Sequence, residues 1–117
     1  MAKTLNINYN GKTFKAEFDR ASAKLFAKMG HKVQDVWENP LVAVVPFVFS
    51  AFKKHQPSIT EKKAEEVYDA LPKNVKPNFL NALVEGYIGA IEGLVGSTDA
   101  ADGDEGNATW ENPDEDN

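Results

Sequence analysis

Hydrophobic and polar positions alternate at the start of the chain. In TLNINY, residues 4–9, Leu5, Ile7 and Tyr9 share one side of an extended strand, and in KTFKAEF, residues 12–18, Phe14, Ala16 and Phe18 do the same. Asn10 and Gly11 lie between the two runs, and both residue types accept the positive φ of a type I′ turn, so the pattern predicts a β-hairpin. The period then lengthens. Asp19 stands as an N-cap, Leu25, Phe26 and Met29 recur at helical spacing, and Gly30 stands as the stop.

Asn39 followed by Pro40 predicts the next helix start, since proline suits the first helical position. The run LVAVVPFVFSAF, residues 41–52, is apolar on every side and reads as a buried helix carrying Phe47, Phe49 and Phe52. It is too short to span a bilayer. Pro46 inside it either kinks the helix or marks its true start. Ser58 and Glu61 form an S-x-x-E capping box behind Pro57, and the helix beyond offers Ala64, Val67, Tyr68 and Leu71 to a core. Pro72 and Pro77 bracket a short link to a last helix over about residues 78–96.

That last helix carries two rows. Leu80, Val84, Tyr87, Ile91 and Leu94 recur every three or four residues as a core-facing stripe. Ala82, Gly86, Gly89 and Gly93, with Gly96 at the end, form a row almost free of side chains, about 200° round from it at roughly 100° per residue. Each interior glycine weakens a helix by about 1 kcal/mol relative to alanine, so Gly86, Gly89 and Gly93 together cost roughly 3 kcal/mol. Against a typical total of about 5–15 kcal/mol, that cost calls for an offset. A smooth row lets another backbone approach closely, either within the chain, for instance under the hairpin, or from a partner. The architecture is therefore α+β and mostly α: a hairpin, then a small bundle of about four helices.

Charge divides the chain in two. Residues 1–98 hold 13 basic and 10 acidic side chains, whereas residues 99–117 hold eight acidic and no basic ones, so a body near +3 precedes a segment at −8 and the whole carries −5. The last segment, DAADGDEGNATWENPDEDN, cannot bury enough apolar surface to offset its chain entropy and reads as a disordered acidic tail behind one domain of residues 1–98. The absence of cysteine suits a reducing cytosol, and the opening MAKTLNINYN lacks the apolar stretch of a secretory signal.

Candidate chemistry is sparse. His31 and His55 each adjoin a lysine near an expected helix end and read as solvated loop histidines. No spacing suggests a metal site, no glycine-rich phosphate loop follows a strand, and no serine has an evident base. The expectation is a protein without catalytic residues, metal or cofactor. Lys53-Lys54 and Lys62-Lys63 give too weak a basic patch for a nucleic-acid binder, and an acidic segment in the same chain would compete with phosphates. The tetrapeptide WENP occurs at residues 37–40 and again at 110–113. Such a repeat arises by chance in roughly one chain in ten of this length. The alternative is that the second copy imitates the first and competes for what it touches. Trp110 stands out either way as a large aromatic able to anchor a short contact.

The layout resembles the tail assembly chaperones of long-tailed bacteriophages and prophages. The likeness rests on an opening hairpin ending in FDR at residues 18–20, a helical body with FSAFKKHQPSIT at residues 49–60, and an acidic end. The resemblance implies a non-catalytic, non-structural assembly factor in the host bacterial cytoplasm. It implies a homo-oligomer that coats the tape-measure protein, keeps that long apolar helix soluble and hands it to the tail-tube protein during virion assembly. It also implies that a longer form can arise by translational frameshift. On this reading Ala82, Gly86, Gly89, Gly93, Phe47, Phe49 and Phe52 are the partner-binding candidates. The alternative is a small inhibitor that mimics nucleic acid through its acidic segment.

Overall fold

The computed structural model describes residues 4–96. The chain order is β1 (Leu5–Tyr9), β2 (Lys12–Ala16), α1 (Arg20–Lys28), α2 (Asp35–Glu38), α3 (Pro40–Lys53), α4 (Glu61–Asp69) and α5 (Lys76–Val95). The α+β, mostly helical architecture holds, with the four-residue α2 added to the four expected helices. In the hairpin Ile7 pairs with Phe14 and Leu5 with Ala16, so the inward row of each strand meets the other's. Asn10 and Gly11 both take positive φ, +50° and +78°, as a type I′ turn requires.

Helix α1 starts as expected: the Asp19 carboxylate accepts from the Ser22 amide at 3.0 Å. Helix α4 starts differently. Its cap is Thr60, whose hydroxyl accepts from the Lys63 amide at 3.1 Å, while Ser58 lies two residues outside. Two capping residues compete in PSIT, and the winner is the one that leaves Ile59 buried just ahead of the helix.

Helix α3 begins at Pro40 and continues through Pro46, so Pro46 does not start it. Proline removes the amide that would bond the Val42 carbonyl. Val42 is exposed, so water can take that carbonyl. The rest of α3 is the centre of the molecule, contacting α1, α2, α4 and β2. Phe47 stacks on Phe18 with centroids 4.5 Å apart, and Phe26 meets both rings edge-on at 5.1 and 6.2 Å. Phe52 closes the other end against Phe14. Helix α5 packs on α1 and, through Phe79, on Tyr68 of α4.

Candidate functional site

The two sequence stretches FDR and FSAFKKHQPSIT come together in space. Glu17, one residue ahead of FDR, accepts from Lys54 Nζ at 3.1 Å and lies 2.9 Å from His55 Nε2, and Lys54 also donates to Asp19 at 2.6 Å. The Glu17 amide donates to the Ala51 carbonyl at 2.9 Å. Gln56 seals the edge of β2, its side chain taking the Lys15 amide at 2.7 Å and donating to the Lys15 carbonyl at 2.8 Å. The bond to His55, with help from Lys54, holds the Glu17 carboxyl below its ordinary range. Burial pushes Asp19 the other way, but the bonds from Lys54 and Ser22 outweigh it and its carboxyl is also lowered. The same two carboxylates hold the Lys54 ammonium above its usual value, Asp19 first.

This clasp corrects the reading of His55 as a solvated loop residue. No local signal could have found it, because Glu17 is 38 positions away. His31 is half-buried and stacks on Phe26. Three of the four lysines of the basic doublets have partners. Lys54 is paired, Lys53 donates to the Pro57 carbonyl and Lys63 pairs with Glu66, itself bonded by the Tyr9 hydroxyl at 2.7 Å. A cavity of about 150 Å³ opens beside the clasp, lined by Asp19, Ser22 and Ser50 among others. Its polar groups serve the fold: Ser22 donates to the Glu17 carbonyl and Ser50 to the Pro46 carbonyl. Among the described residues no group of three His, Cys, Asp or Glu could hold a metal ion, and no helix is long and apolar enough to cross a membrane.

The partner-binding candidates separate. Phe47 and Phe52 are fully buried and Phe49 is half-buried. These rings form the core, because α3 is covered on most sides, and Phe47 and Phe52 cannot also present a surface. Gly86 is used within the chain. A Cβ there would lie 2.6 Å from the Phe18 carbonyl oxygen, so only glycine lets α5 approach the segment before α1 so closely. Gly93 passes under Arg20, whose guanidinium would lie 3.5 Å from an added Cβ, an ordinary contact. Gly89 faces open space, and Ala82 is half-buried. The row is therefore not one continuous free face. Trp110 and the acidic stretch 99–117 lie outside the described residues.

The core-facing stripe of α5 also stops short. Leu80 is buried and Val84 and Tyr87 partly so, but Ile91 is exposed and Leu94 keeps 60% of its surface. The buried direction runs through Phe79, Leu83 and Gly86, between the two rows. At about 100° per residue Phe79 and Gly86 share a side. Beyond Tyr87 the helix overhangs the body. Ile88, Ile91, Leu94 and Val95 are four large aliphatic side chains exposed within eight residues. Where this overhang meets α1 a groove of about 170 Å³ is lined by Arg20, Ala23, Lys24, Ala27, Tyr87, Ala90, Ile91 and Leu94. An apolar space of about 150 Å³ takes one aromatic ring, so the groove suits a single large side chain. Small residues on α1 shape it, and lysine and arginine edge it.

The chain belongs to a family described as a domain of unknown function (DUF5055), whose model matches residues 1–112. No curated protein and no solved structure matches the chain.

Proposed function

Within that family we propose that the protein is a non-catalytic assembly chaperone. Its working surface is the groove between α1 and the overhanging end of α5. The reading is carried by one observation: the second half of α5 exposes Ile88, Ile91, Leu94 and Val95 beside a groove sized for one large apolar side chain. Contiguous exposed apolar surface marks an interaction site, whereas single exposed residues need no explanation. Full burial of an aliphatic side chain of this size contributes about 1.5–3 kcal/mol, and these four keep 38–73% of their surface for a partner to bury. An amphipathic or apolar helix laid along α5 would cover all four, with anchors spaced three or four residues apart.

The resemblance of FDR and FSAFKKHQPSIT to phage tail assembly chaperones supplies the client: the tape-measure protein, a long apolar helix in need of cover before the tail-tube protein takes over. The joining of these two stretches by the Asp19–Lys54 pair and the Phe18–Phe47 packing beside it gives the FDR stretch and the helical body a shared structural task, in keeping with that likeness. Self-association, which the resemblance also implies, would extend the cover along the client. The place of action on this reading is the cytoplasm of a host bacterium. No step of this function asks for a catalytic residue, metal or cofactor.

Co-expression with a tape-measure protein tests the reading. The chain should co-purify with it, and the pair Ile91→Asp and Leu94→Asp should lose it while keeping the unfolding midpoint, because both side chains are exposed. Undiminished co-purification with the double variant would refute the assignment of this surface.

A further inference from the structure

One edge of the groove is basic. Arg20 and Lys24 line it, Lys28 lies one turn further along α1, and α1 itself carries no carboxylate. Among the described residues none of these three is in an ion pair. The floor, made by Ala23, Ala27, Tyr87, Ala90, Ile91 and Leu94, is apolar. The matching ligand is an anionic segment with one large apolar side chain. Residues 97–117 have that composition: eight carboxylates, no lysine or arginine, and Trp110 as the single large apolar group.

We propose that the segment around Trp110 folds back onto the α1–α5 groove of its own chain, with the indole on the apolar floor and neighbouring carboxylates against Arg20, Lys24 and Lys28. The connection allows it. Leu94 lines the groove two residues before Gly96, where α5 stops at φ +85°, a conformation that glycine alone takes readily. Trp110 follows 14 residues later. Fourteen residues can span at most about 50 Å, while α1 is about 14 Å long, so every part of the groove is within reach. Tethering raises the local concentration to the millimolar range, so a weak contact suffices. The opposite charges fix the direction of approach without demanding a deep pocket.

The consequence is a surface that covers itself. The segment shields the apolar groove until a larger apolar partner displaces it, and the apparent affinity for that partner falls by the fraction of chains that are open. The inference rests on reading the groove as the partner surface, and the tests separate the two.

Trp37→Phe in the full chain leaves Trp110 as the single tryptophan. Its emission should be blue-shifted and its quenching by acrylamide reduced in dilute protein. Both effects should weaken at 1 M salt, where the Debye length is about 3 Å, and vanish with Leu94→Asp. Emission and quenching of a water-exposed indole would overturn the proposal, as would protection indifferent to Leu94→Asp. Protection that grows with protein concentration would also overturn it, by assigning the groove to the segment of a second copy. No client is present in this measurement. If Trp110 is protected but Leu94→Asp leaves client binding intact, the fold-back stands and the functional reading falls. If Trp110 is exposed while Leu94→Asp loses the client, the reverse holds. With both correct, Trp110→Ala binds more client than the unaltered chain.

Discussion

Helices α3 and α5 are the two most apolar in the chain, and they end in opposite places. Helix α3 is wrapped by α1, α2, α4 and β2, so its second half is buried nearly all round. Helix α5 is buried over Phe79, Leu80 and Leu83 and then leaves the body. The difference is one of length and partners. At 1.5 Å per residue the 20 residues of α5 run about 30 Å, and the nine of α1 beside it run about 14 Å. Over its second half α1 covers one side of α5, and among the described residues no element covers the other. Apolar content therefore announces that a helix will be covered, but the neighbours decide whether the cover comes from within the chain.

The sharpest way to break the comparison is to truncate one large side chain on each helix. Phe47→Ala removes a fully buried ring stacked on Phe18 and met edge-on by Phe26, and should cost about 3–5 kcal/mol in urea unfolding. Val95→Ala, at a side chain that keeps 73% of its surface, should stay within about 0.5 kcal/mol of the unaltered chain. Comparable losses at the two positions would mean that the overhang of α5 is packed against the body in solution.

The glycines give a smaller contrast within α5 itself. Gly86→Ala places a methyl group against the Phe18 carbonyl and should destabilise by about 1–3 kcal/mol as α5 is pushed off. Gly89→Ala points into open space and should stabilise by up to about 1 kcal/mol through helix propensity. The same unfolding measurement reads both, and opposite signs are expected.

The third contrast is in pH. The clasp fixes the C-terminal end of α3, and the overhang of α5 contributes no ion pair among the described residues. Glu17 and Asp19 titrate in the folded protein below their ordinary values of 4.5 and 3.8. Their contribution is present above those values and is lost as pH falls through the lower folded ones. The thermal midpoint should therefore drop between about pH 5 and pH 2, with a shallower drop in Glu17→Gln and an unchanged one in Leu94→Ala. The effect is modest, because these side chains are partly exposed and screened.

The local pattern announced the local structure. The Asn10–Gly11 turn, the Asp19 cap, the Gly30 stop and the burial of Val67 and Tyr68 all follow from spacing and turn chemistry. Two kinds of feature were out of reach. The clasp joins Glu17 to residues 37 and 38 positions further on, and no periodicity encodes a pairing over that distance. The fate of the α5 rows depended on where the neighbouring helix ends. Gly86 and Gly89 look alike in sequence, but one meets Phe18 and the other meets nothing. Phe47 and Phe52 had an apolar signal that fits core and sticky surface equally well, and only the surrounding elements separate those uses. The groove was not legible: Ile91 and Leu94 read as core-facing yet are exposed, and nothing in the sequence singled out Arg20 and Lys24 opposite them.

The account turns on whether the overhanging end of α5 is the surface that meets a client. Photo-crosslinking during assembly in cells tests it most directly, with benzoyl-phenylalanine placed at Ile91 on the overhang and, in a second chain, at the exposed Asn8 of the hairpin. The account predicts an adduct with the tape-measure protein from position 91 and none from position 8. An adduct from position 8 alone, or equal adducts from both, would contradict it.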